Sequence, residues 1–220
     1  MRCLLKNGAI VDSNGERKIV HIVTENNKIS IVSQSEIEIP ANEYDLTGYT
    51  IMPGFIHTHV HLFDCFDGFN KEKLRKWTLS GITCLRDEGI LSRCPTNDVV
   101  NFRNQLKSNC LYPKLMVCGK FISAVNGYGG IAPFEVSTEQ EARDAVKQQV
   151  NEGVDHIKVS LDKGYDPYTQ SLQLLSFHLL EAICNESHKL GKRVSAHVSE
   201  KYIRGRFYVL DNLLLSVHYF

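Results

Sequence analysis

Three histidines, His57, His59 and His61, stand at alternate positions of the short apolar run PGFIHTHVHL, residues 53–62. Side chains alternate sides along a β-strand, so on a regular strand all three imidazoles face one way. Imidazole nitrogens bind zinc, iron, cobalt or nickel, and a His-x-His pair on one face lets both rings reach one ion. Parity alone leaves open which two of the three do so. Two later positions carry related chemistry. Lys158 alternates with Ile157 and Val159 in DHIKVSL, residues 155–161, and His197 alternates with Ala196 and Val198 in RVSAHV, residues 193–198. An unpaired ammonium is poorly tolerated in an interior, so an inward lysine needs either a salt-bridge partner or a chemical task.

These residues need a scaffold, and the pattern of the chain supplies one. Residues 1–52 read as short strands: CLLKNGAIVDSNGERKIVHIVTENNKISIVS has apolar runs broken by Asn-Gly and Asn-Asn, which is hairpin punctuation. This small β module ends at Pro53-Gly54, and residues 53–220 follow a different rule. Strands at 55–61, 82–87, 114–119, 155–161 and 193–198 alternate with helices at 70–80, 96–108, 138–152 and 171–190. Gly81, Gly153 and Gly191 sit at the helix-to-strand joints, as helix C-termini favour. Repeated β-α units of this size predict a parallel sheet, doubly wound or closed as a barrel. A strand buried between two helix layers should be apolar on both faces. Here one parity is apolar while the other carries His, Lys and Ser towards the strand ends, which is what the mouth of a barrel looks like. The expected fold is α/β: a parallel (β/α) barrel, preceded by the β module.

Composition narrows the partners. The chain has 220 residues, 43% hydrophobic and 23% charged, and its 25 Lys and Arg balance its 25 Asp and Glu. That balance offers no footprint for nucleic acid or an anionic membrane. No stretch approaches the roughly 18 to 20 apolar residues of a membrane span, and the N-terminal apolar run is too short for a signal peptide. Seven cysteines, scattered and never spaced Cys-x-x-Cys, argue for a reducing compartment, with cytoplasm the default.

LTGYTIMPGFIHTHVHL resembles the first-strand signature of the amidohydrolase superfamily, commonly Pro-Gly-x-Ile-Asp-x-His-x-His. Other segments are similar to its imidazolonepropionase-like and Xaa-Pro dipeptidase-like branch: SGITCLRDEG, VCGKFISAVNGYGG, EARDAVKQQVNEGVDHIKV and LLEAICNESHKLGKRVSAHV. The resemblance implies a β module that is part of a composite β-sandwich, and a partial (β/α)8 TIM-type barrel of about five to six β/α units that binds one or two divalent ions, most often zinc. It implies His59 and His61 as ligands, with His57 in the place usually held by aspartate. It also implies that Lys158 captures CO2 as a carbamate that bridges metals, and that His197 is the fifth-strand ligand. His218, 21 positions after His197, is a further candidate where the sixth-strand histidine belongs. Arg86 and Asp87 close the second strand, where they either orient substrate or form an ion pair under a loop. Tyr128 stands where the family usually has histidine. His21, His156 and His178 have no motif context, and His188 is expected to pack on its helix.

The implied activity is hydrolysis of an amide or cyclic-amide C–N bond in a small molecule, through a metal-activated water. The family's seventh and eighth strands, the latter bearing a proton-shuttling aspartate, have no counterpart before Phe220. A second expectation follows: an inactive fragment, with open sheet edges that need a second copy or a complementing chain.

Overall fold

The computed structural model describes residues 2–63, 69–163, 172–198 and 213–217. The chain divides into two compact units, Met1–Gly54 and Phe55–Phe220. In the first, the punctuation read from the sequence becomes turns. Asn26 and Asn27 take φ of 52° and 61°, the left-handed pair of a tight hairpin, between β2 (Arg17–Glu25) and β3 (Lys28–Ser33). With β1 (Arg2–Val11) and β4 (Asn42–Asp45) they form one four-stranded sheet, ordered β3-β2-β1-β4. Leu4, Ala9, Val20, Ile22 and Val23 are its buried apolar side chains.

The second unit begins with β5 (Phe55–Val60), followed by α1 (Lys71–Leu79), β6 (Ile82–Asp87), α2 (Thr96–Leu106) and β7 (Lys114–Met116). After these come β8 (Phe121–Ala124), β9 (Phe134–Val136), α3 (Glu139–Glu152), β10 (Ile157–Ser160), α4 (Phe177–Lys189), β11 (Val194–Val198) and β12 (Leu213–Val217). The starts of α1, α3 and α4 are capped by side chains. Asn70 accepts from the backbone N–H groups of Glu72 and Lys73, and Thr138 and Glu141 form a reciprocal capping box on α3. Gly153 closes α3 at φ 96°. The fourth helix starts later than the predicted 171, because Ser176 caps it by accepting from Leu179 N–H.

The strands run parallel in two hydrogen-bonded sets, β5-β6-β7 and β12-β11-β10-β8-β9. The sets meet where the third wall strand breaks at Gly119, whose φ is +72°. Below the break Asp155 N–H donates to Val117 O (2.7 Å), and above it Ile90 N–H donates to Gly119 O (2.9 Å). The segment after residue 119, to which the sequence pattern assigns no element, therefore contains β8, buried on both faces, with the short β9 beside it. Apart from β9, neighbours follow chain order along the wall, as in a barrel and unlike the reversed order of a doubly wound sheet.

Helices α1 to α4 cover the apolar side of this wall, and the core runs from Leu74 and Leu85 through Val99, Val117 and Val146 to Ile183 and Ala196. Both parities of β10 and β11 are buried, so Lys158, Ser195 and His197 lie in a closed interior. By contrast β5 pairs with β6 alone among the described residues, and Phe55 and Ile56 remain 56% and 63% exposed. No helix among the described residues is long and apolar enough to cross a membrane.

Candidate metal centre

Register decides what the three histidines of β5 do. Pairing of β5 with β6 slips between Phe55 and Ile56 and again between His57 and Val60. The alternation expected of a regular strand is therefore broken inside the motif. The His57 ring lies nearly perpendicular to that of Trp77 of α1, 5.5 Å between centroids, and its Nδ1 accepts from His59 N–H at 3.4 Å. His59 and His61 instead converge, with their Nε2 atoms 3.3 Å apart. Two nitrogens on one tetrahedral zinc, each about 2.0–2.1 Å from it, stand about 3.3–3.4 Å from one another. The spacing of this pair fits one ion.

Backbone groups orient the pair. His61 Nδ1 lies 3.0 Å from Gly89 O, to which it donates, so its Nε2 presents a lone pair towards His59. Gly89 is forced by geometry: its φ is +129°, and a Cβ there would stand 2.3 Å from the Phe121 ring. Asp87 secures both segments. Its Oδ1 accepts from Leu62 N–H at 2.7 Å and its Oδ2 from Gly89 N–H at 3.2 Å. Neither role expected of Asp87 is this one: its carboxylate clamps backbone beside His61.

Lys158 is fully buried, and its partner is a residue the sequence reading passed over. Glu88, also fully buried, places Oε2 2.9 Å from Lys158 Nζ and accepts from Ser195 Oγ at 2.8 Å. Arg86 Nε lies 2.9 Å from Oε1, and His156 Nε2 lies 3.4 Å from the same oxygen. Burial alone would raise the Glu88 carboxyl, but contact with His156 and the charge of Lys158 outweigh it, and the net direction is down. His156 is lowered, by burial first and with Glu88 opposing. The Phe121 ring joins this cluster to the histidine pair: it stacks with His61 at 6.2 Å, and Lys158 Nζ lies 5.6 Å from its centroid.

His197 occupies β11 in register with Ser160 of β10. Its Nε2 is 3.5 Å from Asp162 Oδ2, with both side chains buried, and its ring lies 5.0 Å from that of Tyr128. Burial, then the charge of Asp162, raises the Tyr128 hydroxyl. His218 lies outside the described residues. Among the described residues no three His, Cys, Asp or Glu side chains come together as a metal cage. What the fold brings together is the His59–His61 pair, linked through Phe121 to Lys158, with His197 two strands along from β8.

Glu88, Asp162 and Phe121 are the residues that sequence reasoning missed. Position offered a signal for two of them. Glu88 directly follows the last residue of β6 and Asp162 lies just past the end of β10, at the strand ends where a barrel gathers its chemistry. Phe121 gave none, since its strand had no counterpart among the elements read from the sequence.

Comparison with known proteins agrees with this architecture. A family model described as the amidohydrolase family matches residues 50–205. A dihydroorotase from Listeria welshimeri is 39% identical over 59 residues, 27% of this chain and 14% of that protein. A Bifidobacterium longum structure assigned as a prolidase superposes with a TM-score of 0.72 at 29% identity, covering 91% of this chain and 50% of that one. A prolidase bound to N-methylphosphonate-L-proline gives a TM-score of 0.79 at 20% identity, covering 98% and 62%. The chain thus spans 50–62% of the length of these two structures and a smaller share of the dihydroorotase.

Proposed function

The chain belongs to the amidohydrolase family, and from that premise we propose that it is a metal-dependent hydrolase of a small molecule's amide or cyclic-amide C–N bond. The observation that carries this reading is the 3.3 Å approach of His59 Nε2 to His61 Nε2. In this proposal His59 and His61 hold a divalent ion, zinc first among candidates. Lys158, as its carbamate, and His197 add ligands from β10 and β11. His218 is a further ligand candidate. Bound there, the ion would polarise the substrate carbonyl and activate water.

The chain's own residues do the positioning. Gly89 O fixes the tautomer of His61, Asp87 holds the backbone on both sides of that contact, and Phe121 packs against His61. The names of the relatives, prolidase and dihydroorotase, suggest the substrate class: a dipeptide, an N-acyl amino acid or a cyclic amide. A cytoplasmic site of action belongs to the same proposal, supported by the six free cysteines among the described residues. The test is a hydrolysis panel of those three substrate classes with zinc supplied. Turnover lost on His59→Ala and His61→Ala supports the reading, and turnover indifferent to both rejects it.

A specific observation favours a second reading. β5 pairs on one side only among the described residues, with Phe55 and Ile56 exposed. Such an edge invites a second copy or a complementing chain. In that case solution mass would exceed that of one 24.9 kDa chain, and activity would track the larger species.

A further inference from the structure

We propose that the Glu88 carboxylate and a carbamate on Lys158 compete for the same space beside Nζ, making Glu88 the residue that sets how readily Lys158 takes up CO2. The inference rests on the reading of Lys158 as a carbamate-bearing ligand, and it adds the control of that modification.

The geometry is the argument. Lys158 is 0% exposed, so no direction around Nζ opens to solvent. A carbamate on Nζ, with bond lengths of about 1.33 Å for C–N and 1.23 Å for C–O, puts its oxygens about 2.3 Å from that nitrogen. Glu88 Oε2 already stands 2.9 Å from Nζ, in nearly the same shell. A carbamate built on the Glu88 side of Nζ would overlap Oε2, and on any side the two like charges would repel strongly in so buried a setting. The Phe121 ring faces Nζ as well, and an apolar ring offers a carbamate nothing to replace its solvation.

Glu88 can yield without losing all of its partners. Its Oε1 lies beside Arg86 Nε at 2.9 Å, so the side chain can rotate away from Lys158 around that contact. What holds Oε2 in place, besides Lys158, is Ser195 Oγ at 2.8 Å. Ser195 is the register partner of Lys158 across β10 and β11, which makes it a positioning residue for the ion pair. Carbamate formation joins the nitrogen lone pair to the carbon of CO2, shifts one C–O π pair onto oxygen, and releases protons to solvent. An ammonium gives up two and a neutral amine one. No electron transfer is involved.

The experiment measures carbamate on Lys158 by carbon-13 NMR, with labelled bicarbonate and fixed zinc, in the full chain and two variants. Glu88→Asp keeps the negative charge for Arg86 but withdraws it by about one C–C bond, about 1.5 Å. Ser195→Ala removes one hydrogen bond holding Oε2. We expect labelling to rise about threefold to tenfold in each, the population change matching one hydrogen bond's net worth. Equal labelling in all three chains overturns the inference. Absence of label in chains that nonetheless bind zinc also overturns it, while leaving the His59–His61 reading standing. Absence of both label and zinc overturns the two together. If circular dichroism shows Glu88→Asp to be unfolded, Ser195→Ala decides alone by the same outcomes.

Discussion

Glu88 Oε2 and Lys158 Nζ are 2.9 Å apart, and neither side chain reaches solvent. An ion pair so closed gives little net stability over an apolar pair of the same size, yet losing one member leaves a buried charge exposed to a low dielectric. Lys158→Met should therefore destabilise the chain by about 3 kcal/mol, the low end for a broken buried pair, because Arg86 still faces Glu88. Urea unfolding is the measurement. In the Lys158→Met, Glu88→Gln double variant the loss should be smaller than the sum of the two single losses. Strict additivity would mean that the two groups do not interact.

His156 sets a pH dependence of defined sign. Burial lowers its imidazole below the ordinary value, with the Glu88 contact opposing. As pH falls through about 6.5, the unfolded chain takes up this proton while the folded chain does not. Stability therefore drops on acidification from that point until the folded group also titrates. The Glu88 carboxyl is lowered, so its contribution is present above the usual glutamate range and fades only on further acidification. Thermal unfolding at pH 8 and pH 5.5 should show the first loss, and His156→Gln should reduce it.

Gly89→Ala tests the joint between the histidine pair and β8. The new methyl would stand 2.3 Å from the Phe121 ring at a φ of +129°, which L side chains rarely adopt. A cost of about 1–3 kcal/mol is expected from the backbone strain alone. Because Gly89 O holds His61 Nδ1, zinc affinity should fall as well. Unchanged zinc binding in a folded variant would show that this carbonyl does not orient the ligand.

The cysteines should react in the order of their exposure. Burial pushes the Cys184 thiol up to about 12 and the Cys118 thiol well above its ordinary range, whereas Cys110 is exposed. Iodoacetamide at neutral pH should therefore modify Cys110 while sparing Cys118 and Cys184 until the chain is denatured. Mass mapping of the alkylated peptides reads this directly.

The parallel wall was legible because helix and strand periods differ, and because glycines and capping residues such as Asn70 and Thr138 mark helix ends locally. His57 was not separable from His59 and His61 by alternation. A register slip is a property of the pairing between β5 and β6, and a single strand's pattern does not contain it. Lys158 could be read as requiring an anion or a task, but not which anion. Glu88 lies 70 residues earlier in the chain, and only the packing of β6 near β10 brings it there. β8 was hidden because Gly119 and the glycines after it look like loop punctuation, while Phe121–Ala124 are in fact a buried strand.

The central claim is that His59 and His61, and not His57, form the metal-holding pair. Zinc binding by the purified chain, measured by titration calorimetry and elemental analysis, tests it most directly. The account predicts that the chain binds zinc, that His59→Ala and His61→Ala each abolish binding, and that His57→Ala retains it. Failure of the unaltered chain to bind zinc, or equal loss in all three variants, would contradict it.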